Sequence, residues 1–122
     1  MRVAIPAAAA FALASPAHAT IGLLCTPTKA GPVAGVVFGA GAEGRIAAVN
    51  LKEGGVWRSS FNREDGLLLT RSSSGRKWVQ ADFRDTRRPQ RDGRLSVRIS
   101  GHTASGALFL NGRRWAVRCV QD

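Results

Sequence analysis

Arginine carries most of the chemical potential in this chain. Arg84, Arg87, Arg88, Arg91, Arg94 and Arg98 crowd one stretch, and Arg114 and Arg118 follow near the C-terminus. A guanidinium keeps its charge at any physiological pH and presents a planar fork of N–H donors, so its chemistry is recognition of phosphate, sulfate or carboxylate rather than bond breaking. Trp78 adds a ring on which a base or a sugar can stack. These nine residues form the candidate site for an anionic ligand, with an affinity expected to fall as salt rises. The competing reading is a solvated face that contacts nothing. The formal net charge is +10, one less without Arg2. Only Lys29, Lys52 and Lys77 are lysines and alanine is abundant, a pattern that a GC-rich genome would also produce.

Patterns that would signal an enzyme fail on context. Gly39-Ala40-Gly41-Ala42-Glu43-Gly44 matches G-x-G-x-x-G with Glu64 downstream, but dinucleotide binding needs a helix opening after the glycines within βαβ units. A glycine-rich hairpin loop is expected instead. Ser74-Gly75-Arg76-Lys77 has the S-x-x-K spacing, yet it falls on a turn and lacks the S-D-N and K-T-G partners of penicillin-recognising enzymes. His102 stands in a short Gly-His-Thr connection without companion ligands for zinc. The acidic residues are scattered, and Asp82 and Asp85 read as local partners for arginines rather than as a glycosidase pair. No catalytic residue, metal site or cofactor is expected.

The elements that must position the arginines are strands. Gly and Ser clusters punctuate the chain at short, regular intervals, which is the spacing of an all-β meander. Strands are expected at 21–26, 33–38, 45–52, 56–61, 66–71, 77–84, 94–100, 105–110 and 113–120. Leu95, Val97 and Ile99 alternate with Arg94, Ser96, Arg98 and Ser100, as do Val79, Ala81 and Phe83 with Trp78, Gln80, Asp82 and Arg84, so the apolar sets face inward and the arginines outward. Asn111-Gly112 predicts a type I′ hairpin pairing Leu110 with Arg113, Leu108 with Trp115 and Gly106 with Val117. Arg114 then stands opposite Phe109 on the outer face, and Arg118 lies nearby. The segment 45–53 also has helical composition, and strand is preferred there. Pro89 discourages strand, so a long loop is expected over 85–93. Trp57 and Trp115 are expected in the core, the alternative for Trp57-Arg58 beside Gly54-Gly55 being an exposed barrel end.

Compartment is read from the two ends. Arg2, an apolar stretch from Val3 to Ala14, and Ala17-His18-Ala19 have the form of a secretory signal cleaved before Thr20. The alternatives are an uncleaved anchor, although the run is shorter than the roughly 20 residues a span needs, or lipidation at Cys25. Residues 1–19 are therefore expected to be removed, leaving 20–122 as one domain with no transmembrane segment. In an oxidising compartment Cys25 and Cys119 pair, the alternative being two buried thiols. Such a bond closes nearly the whole mature chain, which the chain-entropy model values at about 4 to 5 kcal/mol. Cys25 and Cys119 both face inward, so the bond would join the first and last strands and close the sheet. The expected fold is a small antiparallel barrel or sandwich of about eight strands.

In size, signal, meander and cysteine placement the chain resembles several families of small exported β-barrels, among them the periplasmic lysozyme inhibitors, which tie their chain ends with cysteines. Their inhibitory serine and lysine loop motif aligns with no stretch here, so no residue role is carried over. The functional expectation is a monomeric, non-enzymatic binding protein of the periplasm or the exterior. Its partner would be a polyanion (lipopolysaccharide, acidic glycan or nucleic acid) or an acidic exported protein. The alternative is an inhibitor of an exported hydrolase, inserting a loop such as 62–66 or 85–93.

Overall fold

The computed structural model describes residues 21–39 and 45–121; the expected signal at 1–19 and most of the glycine-rich loop lie outside them. Nine strands follow in chain order: β1 (Ile21–Pro27), β2 (Val33–Phe38), β3 (Ile46–Glu53), β4 (Val56–Ser59), β5 (Leu67–Ser74), β6 (Trp78–Asp85), β7 (Arg91–Ser100), β8 (Thr103–Leu110) and β9 (Arg113–Gln121). A single 3-10 turn, Arg63–Asp65, separates β4 from β5. Among the described residues there is no other helix, and none is long and apolar enough to cross a membrane.

All neighbours pair antiparallel in the order β4-β3-β2-β1-β9-β8-β7-β6-β5, forming one nearly closed barrel. The expected junction of first and last strands is present, with Cys25 opposite Cys119 in the β1–β9 register. The disulfide has an S–S distance of 2.06 Å and links positions 94 apart in sequence. This junction lies mid-sheet. The two sheet edges are β4 and β5, at the centre of the chain, so the barrel has its seam between two consecutive strands rather than at the chain ends.

The inward alternation of Val79, Ala81 and Phe83 on β6 and of Leu95 and Val97 on β7 builds the core with Val36, Leu51, Leu108 and Val117. Asn111 and Gly112 both adopt positive φ (52° and 84°), and β8 pairs with β9 in the expected register. The segment of mixed propensity, 46–53, is strand because Val49 and Leu51 are needed in the core between β2 and β4.

Three expectations are corrected. The loop over 85–93 contracts to a connection at 86–90, because Arg91 and Asp92 already pair with Asp85 and Arg84; Pro89 sits in that connection and interrupts no strand. β4 stops at Ser59 rather than Phe61, because Ser60 turns back onto β3, its N–H donating to the Val49 carbonyl at 2.9 Å and its Oγ accepting from the Val49 N–H at 2.9 Å. Trp57 is 47% exposed, because the alternation of β4 turns Arg58 inward in its place. Trp115 is half-buried against the core.

Candidate functional site: an arginine groove across the outer face

The registers of β6 to β9 stack the outward residues into three parallel rows. One row runs Trp78, Arg98, Ser105, Arg118 and on to Thr26 of β1. The next is Gln80, Ser96, Ala107 and Ala116. The third is Asp82, Arg94, Phe109 and Arg114. Beyond Gln80 the middle row is small, whereas its neighbours carry long cationic and aromatic side chains. The result is a groove crossing the strands, a concavity of about 640 Å³ lined by Trp78, Arg98, Phe109, Arg114 and Arg118 among others. Beneath its floor β8 approaches β7 so closely that a Cβ at Gly106 would run into the Ser96 carbonyl, and only glycine permits the contact.

Trp78 is held, not loose. Its Nε1–H donates to Ser73 Oγ at 3.2 Å, and its benzo ring lies over Gly75, where any Cβ would strike it. Half of the residue nevertheless remains accessible. The ring is thus a fixed, accessible platform. Arg114 lies over Phe109 at 5.9 Å from the ring centroid. Among the described residues Arg98, Arg114 and Arg118 have no carboxylate partner, so their charge faces solvent uncompensated.

The other residues of the candidate set are placed differently. Arg94 borders the groove, with Nε 2.7 Å from Asp82 Oδ1, and this carboxylate raises the guanidinium pKa further. Arg84 is paired with Asp92 at 2.9 Å. Arg87 and Arg88 are exposed in the connection 86–90, away from the groove. Arg91 is not brought to the outer face at all. It points into the seam, where Nη2 lies 2.6 Å from Asp85 Oδ2 and 2.7 Å from Glu53 Oε1.

That seam holds the one buried ionic cluster among the described residues, and Arg58 and Glu53 belong to it without having been anticipated. Arg58 is bidentate on Asp85 (Nη1–Oδ2 3.1 Å, Nη2–Oδ1 2.7 Å), and its Nε donates to the Asp65 carbonyl at 3.0 Å. The side chain of Arg58 is 6% exposed and that of Asp85 3%. Burial pushes the Asp85 carboxyl up, but hydrogen bonds from Arg58, Arg91 and the Arg87 N–H outweigh it and hold the group well below the usual carboxylate range. The Arg91 hydrogen bonds pull Glu53 down against a smaller opposing effect of burial. The expected pairing of Asp82 and Asp85 with arginines is therefore present in two forms, one surface pair and one buried network.

Comparison with protein-family models, curated proteins and solved structures returned no match. Function therefore rests on the geometry of this chain. His102 lies exposed in the β7–β8 turn, and no cluster among the described residues has the composition of a metal site. Gly75-Arg76-Lys77 forms the β5–β6 turn rather than a helix. Gly39 closes the base of the β2–β3 hairpin, its N–H donating to the Arg45 carbonyl at 3.0 Å, while residues 40–44 lie outside the described part.

Proposed function

We propose that this chain is an exported, non-enzymatic binding protein, periplasmic or secreted, whose outer groove on β6 to β9 receives an anionic partner. The observation that carries this reading is the convergence of three arginines without carboxylate partners and a fixed, half-exposed tryptophan on one concavity. Of the other exposed arginines on the sheet, Arg84 and Arg94 are each given an acid by the opposing strand, whereas Arg71 and Arg113 have no ion-paired acid among the described residues but stand outside the concavity. Those in the groove are left to something outside the chain. An internal disulfide fits an oxidising compartment.

The test compares two triple variants of equal charge. Arg98→Ala/Arg114→Ala/Arg118→Ala removes the groove cations; Arg63→Ala/Arg87→Ala/Arg88→Ala removes as many from the loops beside the seam. On immobilised cell-envelope polyanions the groove variant is expected to elute at much lower salt than the wild type, and the loop variant close to it. Equal loss in both would reduce the interaction to net charge and overturn the groove.

A second reading, inhibition of an exported hydrolase, is favoured by a separate observation. The loops at 62–66 and 86–90 lie side by side and are locked together: Thr86 donates to the Gly66 carbonyl from N at 2.8 Å and from Oγ1 at 3.1 Å. Beside them Phe61 is 66% exposed. A rigid pair of loops bearing an aromatic and arginines has the form of an active-site plug. Salt-resistant one-to-one binding to an exported hydrolase, lost in the loop triple variant and kept in the groove variant, would establish it.

A further inference from the structure

We infer that the groove takes an extended acidic polysaccharide, its chain lying across the strands with acid groups directed to both walls; this rests on the groove being the anion site. The first argument is distribution of charge. A single nucleic-acid strand carries phosphates along one edge and bases along the other, so a groove that follows it is served best by cations toward one edge and stacking rings toward the other. Here each wall carries both elements. Trp78 and Arg98 are cross-strand neighbours on one wall, and Phe109 and Arg114 are neighbours on the other. Acid groups that project alternately to the two sides of a sugar chain meet a guanidinium on either side, and the planar fork matches carboxylate or sulfate in bidentate fashion.

The second argument is spacing. The groove spans β6 to β9, three strand intervals or roughly 14 Å, and its walls stand four residues apart along the strands, roughly 13 Å. Trp78 on β6 and Phe109 on β8 therefore lie on opposite walls and two strands apart, too far to sandwich one ring. A ligand that touches both must be a chain of several rings. The third argument is the floor. Gln80 and Ser96 supply amide and hydroxyl groups while Ala107 and Ala116 keep the bed low and open, a surface suited to sugar hydroxyls and to the apolar face of a pyranose. The Ser73 bond and Gly75 contact fix the Trp78 ring before any ligand arrives, so its ordering costs little on binding.

The experiment titrates the oxidised protein, at two salt concentrations, with four probes of matched length: oligo-uronate from alginate, heparin-derived sulfated oligosaccharide, oligo-deoxythymidylate and neutral dextran oligomer. Indole fluorescence is followed, with Trp78→Phe to assign the signal. The expected result is binding of one or both acidic sugars at least 10-fold tighter than the other two probes, with Trp78→Ala weakening it about 10-fold at unchanged salt slope. Alginate alone would identify carboxylate as the recognised group, heparin alone sulfate. Tighter binding of oligo-deoxythymidylate through the same arginines would overturn the polysaccharide and leave the anion site standing. Binding of no acidic probe, or of neutral dextran equally well, would overturn both.

Discussion

The seam and the groove use the same residue type to opposite ends. At the seam Arg58 and Arg91 are withdrawn from water and saturated by Asp85, Glu53 and the Asp65 carbonyl, joining β3, β4, the 3-10 turn, β6 and β7 where no backbone ladder runs between β4 and β5. In the groove Arg98, Arg114 and Arg118 are solvated, and the strands beside them offer tryptophan, serine, threonine and phenylalanine rather than acids. The difference teaches that an arginine's role is set by the acids the fold brings within its reach, across the seam for Arg58 and across the β6–β7 ladder for Arg91. Where a carboxylate is in contact, charge becomes structure; where none is, charge remains available for a ligand.

The sharpest way to break this contrast is Asp85→Ala. It leaves the buried Arg58 without its bidentate partner and with only the Glu53 carboxylate at 3.7 Å, and is expected to cost about 3 kcal/mol in urea unfolding, as loss of one partner in a buried pair does. The double replacement Arg58→Met/Asp85→Leu, which removes both charges and keeps the volume, is expected to cost less than Asp85→Ala alone. A double variant as unstable as the single one would mean that the seam depends on the charges themselves.

Acid titration gives the next largest effect. The folded pKa values of Asp85 and Glu53 lie below their unfolded values of about 3.9 and 4.3, so as pH falls the unfolded chain takes up protons first. Their contribution is whole above about pH 5 and is lost progressively as pH drops through the unfolded values toward the folded ones. Stability measured from pH 6 to pH 2 should fall along this limb, and Asp85→Asn, less stable at the outset, should flatten it. A limb unchanged in Asp85→Asn would remove the cluster from the account.

The smallest stability effects belong to the groove. Single replacements of Arg98, Arg114 or Arg118 by alanine should move unfolding by no more than about 0.5 kcal/mol. Each should lower the slope of log affinity against log salt for a polyanion by about 1. A groove arginine that proved strongly destabilising would belong with the seam.

Much of the sheet was legible because alternation and turn chemistry are local. Leu95-Ser96-Val97-Arg98-Ile99 declares its inner and outer faces, and Asn111-Gly112 fixes the last hairpin to the residue. The outward parity of Trp78, Arg98, Arg114 and Arg118 followed from the same patterns, so the groove's walls were visible before its depth was. Its floor, Ser96, Ala107 and Ala116, was not singled out, because small residues signal nothing until the rows are aligned across four strands. The seam was illegible for a different reason. Arg58 finds Asp85 27 residues away and Arg91 finds Glu53 38 residues away, and nothing in the short β4 tells that Trp57 faces out and Arg58 in. Arg91 looked like one more surface cation because the connection at 86–90 is shorter than its proline implied.

The most direct test is to follow the arginine Nε–H and tryptophan Nε1–H signals of the isotope-labelled, oxidised protein by NMR while an acidic polysaccharide is added. The signals of Arg98, Arg114, Arg118 and Trp78 should move together and saturate, while those of Arg58 and Arg91 stay in place. Movement confined to Arg63, Arg87 and Arg88, or spread evenly over every exposed arginine, would contradict the groove as the binding site.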